Sequence, residues 1–232
     1  MVLVDPNGDN KTRTVQLSSL GIFSLWSRTG GPPPWQARRM GTPRLVLVGG
    51  MPASGKTTIA HELGRLIPCP VVCRDEIKEG LVHGSGGLSP SWGAPVAEEA
   101  FALFYGILET LLRSGCSVVA EAAFAFKLAS DKIGQLAGLS DACLVYCRVD
   151  RATSVRRFIA RSGDPVRQSS HPDHEILAAM ESGSFDWEAF EPPHFGFAIL
   201  EVDTSVGYAP DLDKVATFAR GPGTAVQPRE RS

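Results

Sequence analysis

The chain has 232 residues, 43% hydrophobic and 21% charged, with a net charge of −2. That is ordinary globular composition with room for one α/β domain and extra tails, and it argues against a large electrostatic footprint on nucleic acid while leaving room for a local basic groove. No run of eighteen apolar residues exists, which excludes a membrane-spanning helix of that length.

Residues 1–43 are Gly-, Pro- and polar-rich, with Gly30-Gly31-Pro32-Pro33-Pro34 before Trp35, and are expected to be a disordered extension. The apolar segment Leu20 to Trp26 is too short for a secretory signal core, and its leader carries Asp5 and Asp9. One reading starts the native chain at Met40; its rival makes Phe23, Trp26 and Trp35 a docking segment. Leu45-Val46-Leu47-Val48 reads as a buried parallel strand. Thr58 to Leu66 has helical spacing at Ile59, Leu63 and Leu66, and Pro70 to Cys73 reads as a second strand with a helix starting near Arg74.

His83 to Pro90 is expected to be a glycine-rich loop, either a linker or a mobile flap beside an acceptor site. Ala94 to Ser114 is the clearest helix. Pro95 suits its first turn, Glu98 and Glu99 complement its dipole, and Phe101, Phe104, Tyr105, Leu108, Leu111 and Leu112 form one apolar face for the core. A third strand runs over Ser117–Ala120 and ends at Glu121; a helix follows over Phe124–Leu139. The fourth strand is Ala142–Val149, followed by a basic helix over Arg151–Arg161, a polar connector Ser162–Pro172 and a helix over Asp173–Glu181. Phe197–Val202 is the fifth strand, Asp211–Ala219 the last helix, and residues 220–232 a frayed tail. Strands alternating with helices predict a parallel sheet covered on both faces, with the domain spanning 44–219.

Five cysteines are present, without a C-x-x-C pair. Cys69 and Cys73, and Cys143 and Cys147, are each spaced four apart, so in strands each pair faces one side and packs as small hydrophobes. Without histidine partners nearby in sequence they do not read as a metal site, and a reduced, cytoplasmic protein is expected.

Gly50-Met51-Pro52-Ala53-Ser54-Gly55-Lys56-Thr57 fits G-x-x-x-x-G-K-[ST] between a strand and a helix, the context a phosphate-binding loop requires. Gly50 and Gly55 permit backbone conformations a side chain would block. The amides of Gly50, Ala53, Ser54 and Gly55, with Thr58 following, aim partial positive charge at a phosphate. Lys56 reaches β- and γ-phosphates, and the Thr57 hydroxyl is placed for Mg²⁺.

In an open parallel sheet, ligands sit beyond the carboxyl ends of the strands. Asp75 falls there, nineteen residues after Lys56. It is a candidate general base towards an acceptor hydroxyl, and equally a candidate helix N-cap; Glu76 is the reserve base. Arg74 and Lys78 flank it and suit an anionic acceptor or transferred phosphate. Glu121 follows an apolar strand as a Walker-B-type acid does, suited to Mg²⁺ or to positioning the acceptor. Asp203-Thr204 reads as a structural turn at least as well as a base contact. Arg156, Arg157, Arg161 and Arg167 suggest a lid over the triphosphate, with Arg157 and Arg161 on a shared helix face. About half of these arginines are expected merely to be solvated. His171-Pro172-Asp173-His174 reads as a turn with a helix cap.

With these marks the chain resembles the P-loop kinases related to polynucleotide 5′-hydroxyl kinase, zeta toxin and chloramphenicol phosphotransferase. Bacterial members of that group are often labelled AAA-type ATP-binding proteins. The marks are Gly50 to Thr58, Cys73-Arg74-Asp75-Glu76-Ile77-Lys78, Val118 to Phe124, the arginine lid and Glu201 to Ser205. The resemblance implies a P-loop NTPase three-layer α/β sandwich: a mostly parallel five-stranded sheet, helices on both faces and a helical arginine lid. It implies that Lys56 and Thr57 bind ATP and Mg²⁺, with Glu121 as a further metal candidate. It also implies that Asp75 is the catalytic base and that Arg157 and Arg161 clamp the phosphates. The chain departs from the kinases of nucleic-acid ends at Lys78, where Arg is common, and at Ala123, where Asn is common. The expected activity is phosphoryl transfer to a hydroxyl of a small-molecule or nucleotide-like acceptor. A 5′-hydroxyl nucleic-acid kinase and a nucleotide-gated binding protein are the alternatives.

Overall fold

A computed structural model describes residues 41–86, 95–192 and 194–221. The extension with its aromatics and Met40, the Gly87–Pro90 part of the glycine-rich loop, Ala94 at the expected start of the next helix and most of the C-terminal tail lie outside these residues. Among the described residues no helix is long and apolar enough to cross a membrane.

Five strands form one parallel sheet: β1 (Arg44–Gly50), β2 (Val71–Cys73), β3 (Val118–Glu121), β4 (Asp141–Arg148) and β5 (Ala198–Asp203), in the order β2-β3-β1-β4-β5. The first strand is central because it is the most apolar. Leu45, Leu47 and Val48 are fully buried, so only a position with sheet neighbours and helices on all sides accommodates it. Alternation along β1 sorts its side chains between two cores. Leu45 and Leu47 join Phe104, Leu108, Phe124 and Ile133 on one face; Val46 and Val48 join Ile59, Leu63, Cys143, Cys147 and Val215 on the other. Cys143 and Cys147 therefore do pack as small hydrophobes. Each fully buried side chain of this size contributes about 1.5–3 kcal/mol relative to exposure.

The helices are α1 (Lys56–Leu66), α2 (Arg74–Gly84), α3 (Pro95–Arg113), α4 (Phe126–Ala137), α5 (Arg151–Ser162), α6 (Pro165–Ser170), α7 (Asp173–Ser182) and α8 (Leu212–Arg220), with a 3₁₀ turn at Trp187–Phe190. The expected polar connector after α5 holds a short helix, α6, which Pro165 opens at the position where a missing N–H costs nothing. His83 and Gly84 belong to α2, not to a loop. On α3 the stripe Val96, Ala100, Phe104, Leu108 and Leu112 is buried. Phe101 sits at its margin and stacks on Tyr105 at 6.2 Å. Helix α1 approaches β2 so closely that a Cβ on Gly64 would overlap the Val71 side chain. That contact brings the last turn of α1 against the start of β2, and His61, three residues earlier on the helix, lies near Cys73, two residues later on the strand.

Candidate active site

The loop between β1 and α1 is built on positive φ angles: Gly50 at 140°, Ala53 at 55° and Gly55 at 85°. A Cβ on Gly50 would lie 2.4 Å from the Cys147 carbonyl oxygen, so this position excludes any side chain. The loop is held from outside by two hydroxyls. Ser154 of α5 donates to the Pro52 carbonyl at 2.6 Å, and Thr204, just past β5, donates to the Ser54 carbonyl at 2.7 Å. Thr204 also donates to the Arg148 carbonyl at 3.1 Å. Asp203 caps its own turn, accepting from the Ser205 amide at 2.7 Å, so the structural reading of Asp203-Thr204 holds and extends to buttressing the loop.

Inside the loop, Lys56 is buried and its Nζ donates to the Met51 carbonyl at 2.8 Å. Burial pushes its pKa down, Arg161 adds to that, and Glu121 pulls against both. Ser54 is fully buried with an unpartnered Oγ facing the loop. Ala53 is buried and Thr58 exposed on the first turn of α1. Thr57 donates from Oγ1 to Glu121 Oε2 at 3.3 Å. Glu121 is the last residue of β3, in register with Val48 of β1 and Cys73 of β2. That register brings the tips of three strands to one place.

Asp75 stands on the first turn of α2. It is not the N-cap: Cys73 occupies that position without a side-chain bond, and the Asp75 carboxylate instead accepts from Arg74 Nη1 at 2.7 Å. The reason is the start of the helix directly at the end of β2, which leaves Asp75 inside the first turn. The two carboxylates respond to their surroundings in opposite ways. Burial opposes ionisation of Asp75, yet Arg74, His171, Lys56 and Arg167 outweigh it and hold its pKa below the usual value. Burial raises Glu121, and Lys56 only partly offsets that. Glu76, the reserve base, bonds His61 at 2.6 Å on the other side of Cys73.

The arginines divide. Arg157 does not share a partner surface with Arg161: its Nη2 donates to the Thr204 and Ser205 carbonyls, both at 2.8 Å. Arg161 lies over the Phe158 ring at 4.8 Å with a buried, unpartnered Nε, and interacts electrostatically with Asp75, Glu121 and Lys56. Arg156 is exposed and bonded to Thr153. Arg167 is paired with both oxygens of buried Asp173, at 3.2 and 3.3 Å. Asp173 is thus an arginine anchor at the start of α7, whose N-cap is Pro172. His171 is buried against Glu79 of α2 at 2.9 Å, joining α6 to α2. Lys78 is also buried, its pKa pushed down by burial and by Arg74, against the pull of Asp75 and Asp173. Arg74 is fixed from above by the Phe101 ring at 4.3 Å.

These residues fit magnesium and a triphosphate. The loop offers a turn built on positive φ angles, an orphan Ser54 hydroxyl, and a buried lysine with an arginine acting on it. The Thr57–Glu121 pair supplies the oxygen donors Mg²⁺ takes. Ser154, His171 and Asp173 were not legible as site residues. Each acts across more than one element, and only the fold makes those contacts.

A family model described as "AAA domain" matches residues 45–184. Uncharacterized proteins of Mycobacterium tuberculosis and Mycobacterium bovis are 28% identical over 157 residues, 63% of this chain and 30% of each of theirs. The chain therefore spans about a third of the length of those relatives. Among solved structures it is similar to a Chloroflexus aurantiacus protein described as a "putative kinase". Identity is 26% and the TM-score 0.64, covering 78% of this chain and 98% of that one. A Janibacter sugar kinase shares the fold at 14% identity and TM-score 0.53, over 77% and 95% of the two chains.

Proposed function

The chain belongs to this AAA domain family, and from that premise we propose that it is an ATP-dependent kinase. It transfers the γ-phosphoryl of Mg-ATP to a hydroxyl of a small-molecule or nucleotide-like acceptor. The observation that carries this reading is the placement of Asp75: an aspartate on the first turn of α2, directly after β2, bonded by Arg74 at 2.7 Å and near enough to Lys56 and Glu121 to interact with both. The Chloroflexus protein described as a "putative kinase" adds support at the level of activity class.

Lys56 and the loop amides hold the β- and γ-phosphates, and Ser54 Oγ supplies a further donor. Thr57 and Glu121 would hold Mg²⁺, which when bound would supply positive charge against the negative charge that develops on the phosphates. Asp75 accepts the proton of the acceptor hydroxyl as its oxygen bonds the γ-phosphorus. The bond from that phosphorus to the β–γ bridging oxygen breaks, and ADP leaves. Arg161 stabilises charge on the equatorial oxygens. Arg157 secures the Thr204-Ser205 segment behind the loop. Arg74 and Lys78 receive an anionic part of the acceptor.

The test is ADP release from Mg-ATP across a panel of nucleosides, 5′-hydroxyl oligonucleotides, phenicol- and aminoglycoside-type antibiotics, sugars and polyols, with Asp75→Ala run beside the wild type. An acceptor that raises turnover only in the wild type establishes the reading. ATP binding that no acceptor stimulates, and that Asp75→Ala leaves unchanged, replaces it with a nucleotide-gated binding protein.

A further inference from the structure

Outside the triphosphate site, one cluster carries chemistry that the kinase reading does not use. His61 on α1, Cys73 at the end of β2 and Glu76 on the first turn of α2 converge. His61 Nε2 lies 2.6 Å from Glu76 Oε1 and 3.7 Å from Cys73 Sγ, and all three ligand atoms lie within 4.8 Å of one another. No sequence spacing announced this. The three residues come from two helices and a strand, and the close packing of α1 on β2 at Gly64 brings them together.

We propose that His61, Cys73 and Glu76 form a zinc-binding site with a fourth position open to solvent. Zinc takes a thiolate at about 2.3 Å and imidazole nitrogen or carboxylate oxygen at about 2.0–2.2 Å, in tetrahedral order. Those lengths put neighbouring ligand atoms about 3.4–3.6 Å apart. The sulfur–nitrogen edge already has that size, and the nitrogen–oxygen edge has only to open by less than about 1 Å. Half-exposed side chains at His61 and Glu76 can make that adjustment and leave an entry path, while Cys73 is buried and fixed.

The donor set is one sulfur, one nitrogen and one oxygen. It suits zinc better than magnesium or calcium, which take oxygen alone. A plain His–Glu surface pair would contribute little and has no use for a third, buried sulfur. Burial, with the Glu121 and Glu76 carboxylates nearby, pushes the pKa of that thiol up, so the charge of the metal is what would favour the thiolate. On binding, the Sγ–H proton passes to solvent, and the thiolate, the neutral imidazole and the carboxylate each share a lone pair with the metal. No electron is transferred. Because Cys73 directly precedes Arg74-Asp75, an occupied site ties the start of α2 to α1.

The experiment is titration of the full chain with Co²⁺, kept reduced by a phosphine. One equivalent should give a thiolate-to-cobalt charge-transfer band with the intense visible bands of four-coordinate cobalt, bleached by Zn²⁺. His61→Ala should weaken binding at least tenfold, and Cys73→Ser should remove the thiolate band. Thr57→Ala and Cys69→Ala should leave both bands in place, which separates this site from the magnesium position and from other thiols. Zn²⁺ should raise the Tm of the wild type by a few degrees and not that of His61→Ala. A wild type without the thiolate band overturns the proposal, as does a band that survives Cys73→Ser or an affinity unchanged in His61→Ala. Should Cys73→Ser fail to fold, the half-exposed His61 position decides alone.

Discussion

The phosphate loop and the opposite wall of the site are built by different means. The loop is one contiguous stretch, Gly50 to Thr58, whose conformation is set locally by glycines and by its place between β1 and α1. The opposite wall is assembled from the start of α2, the inner face of α5 and the α6–α7 corner, so Asp75, Arg161, Arg167, His171 and Asp173 meet only after folding. The loop holds its parts by backbone geometry. The wall holds its charges through pairs: Arg167 by Asp173, His171 by Glu79, Arg74 by Asp75 and Phe101. A loop of this kind tolerates no substitution at a few positions, whereas a paired wall loses function in graded steps.

The largest expected effect is at the loop. Lys56→Ala should lower phosphoryl transfer by about 10³-fold or more, read as ADP release with the fold checked by circular dichroism. Full turnover in a folded Lys56→Ala protein would remove the loop from the chemistry. On the wall, Asp75→Asn should cost about 10²–10⁴-fold in kcat with little change in ATP affinity. The accompanying pH profile has a definite sign. Surrounding cations hold Asp75 ionised below the ordinary aspartate range, so its ability to take a proton is present at neutral pH and is lost only as pH falls through that lowered value. The acid limb of kcat/KM should therefore lie below the ordinary aspartate range; a limb near neutrality assigns the base elsewhere.

Arg161→Ala should lower kcat about 10²-fold, and Arg157→Ala about tenfold or less, because only the first is turned towards Lys56 and the acids. Equal losses in the two variants would erase the division between the arginines. The smallest effect tests the support of the loop. Thr204→Val removes the donor that the Ser54 and Arg148 carbonyls share and should destabilise the fold by about 1–3 kcal/mol, visible as a lower Tm. No loss of Tm would mean that the loop keeps its shape without this buttress.

How much was legible follows the same division. The alternation of strands and helices, the buried apolar β1 and the loop were readable, because periodicity and glycine placement act over a few residues, whereas the short helix α6 was read as a connector. Asp75, Arg74 and Lys78 were readable as a group near a strand end. The cap role of Asp75 was not borne out, because the helix begins two residues earlier than a capping aspartate needs. Arg157 and Arg161 were expected on one face from their spacing. Their guanidinium groups separate because Thr204 and Ser205 offer carbonyls to one while the Phe158 ring and the acids hold the other. Cys73 read as a small core hydrophobe, since its histidine lies on the preceding helix, twelve residues back.

By itself the sequence determined the sandwich, the triphosphate cradle and the acid at the tip of β2, all products of local backbone preference and short-range pattern. Only the tertiary structure decided which cations face which carboxylate, which hydroxyls brace the loop, and that an imidazole, a thiol and a carboxylate converge beside it. Such side-chain meetings depend on how closely α1 approaches β2 and where α5 to α7 fold back. Those distances are set by packing across the whole domain rather than by any segment within it.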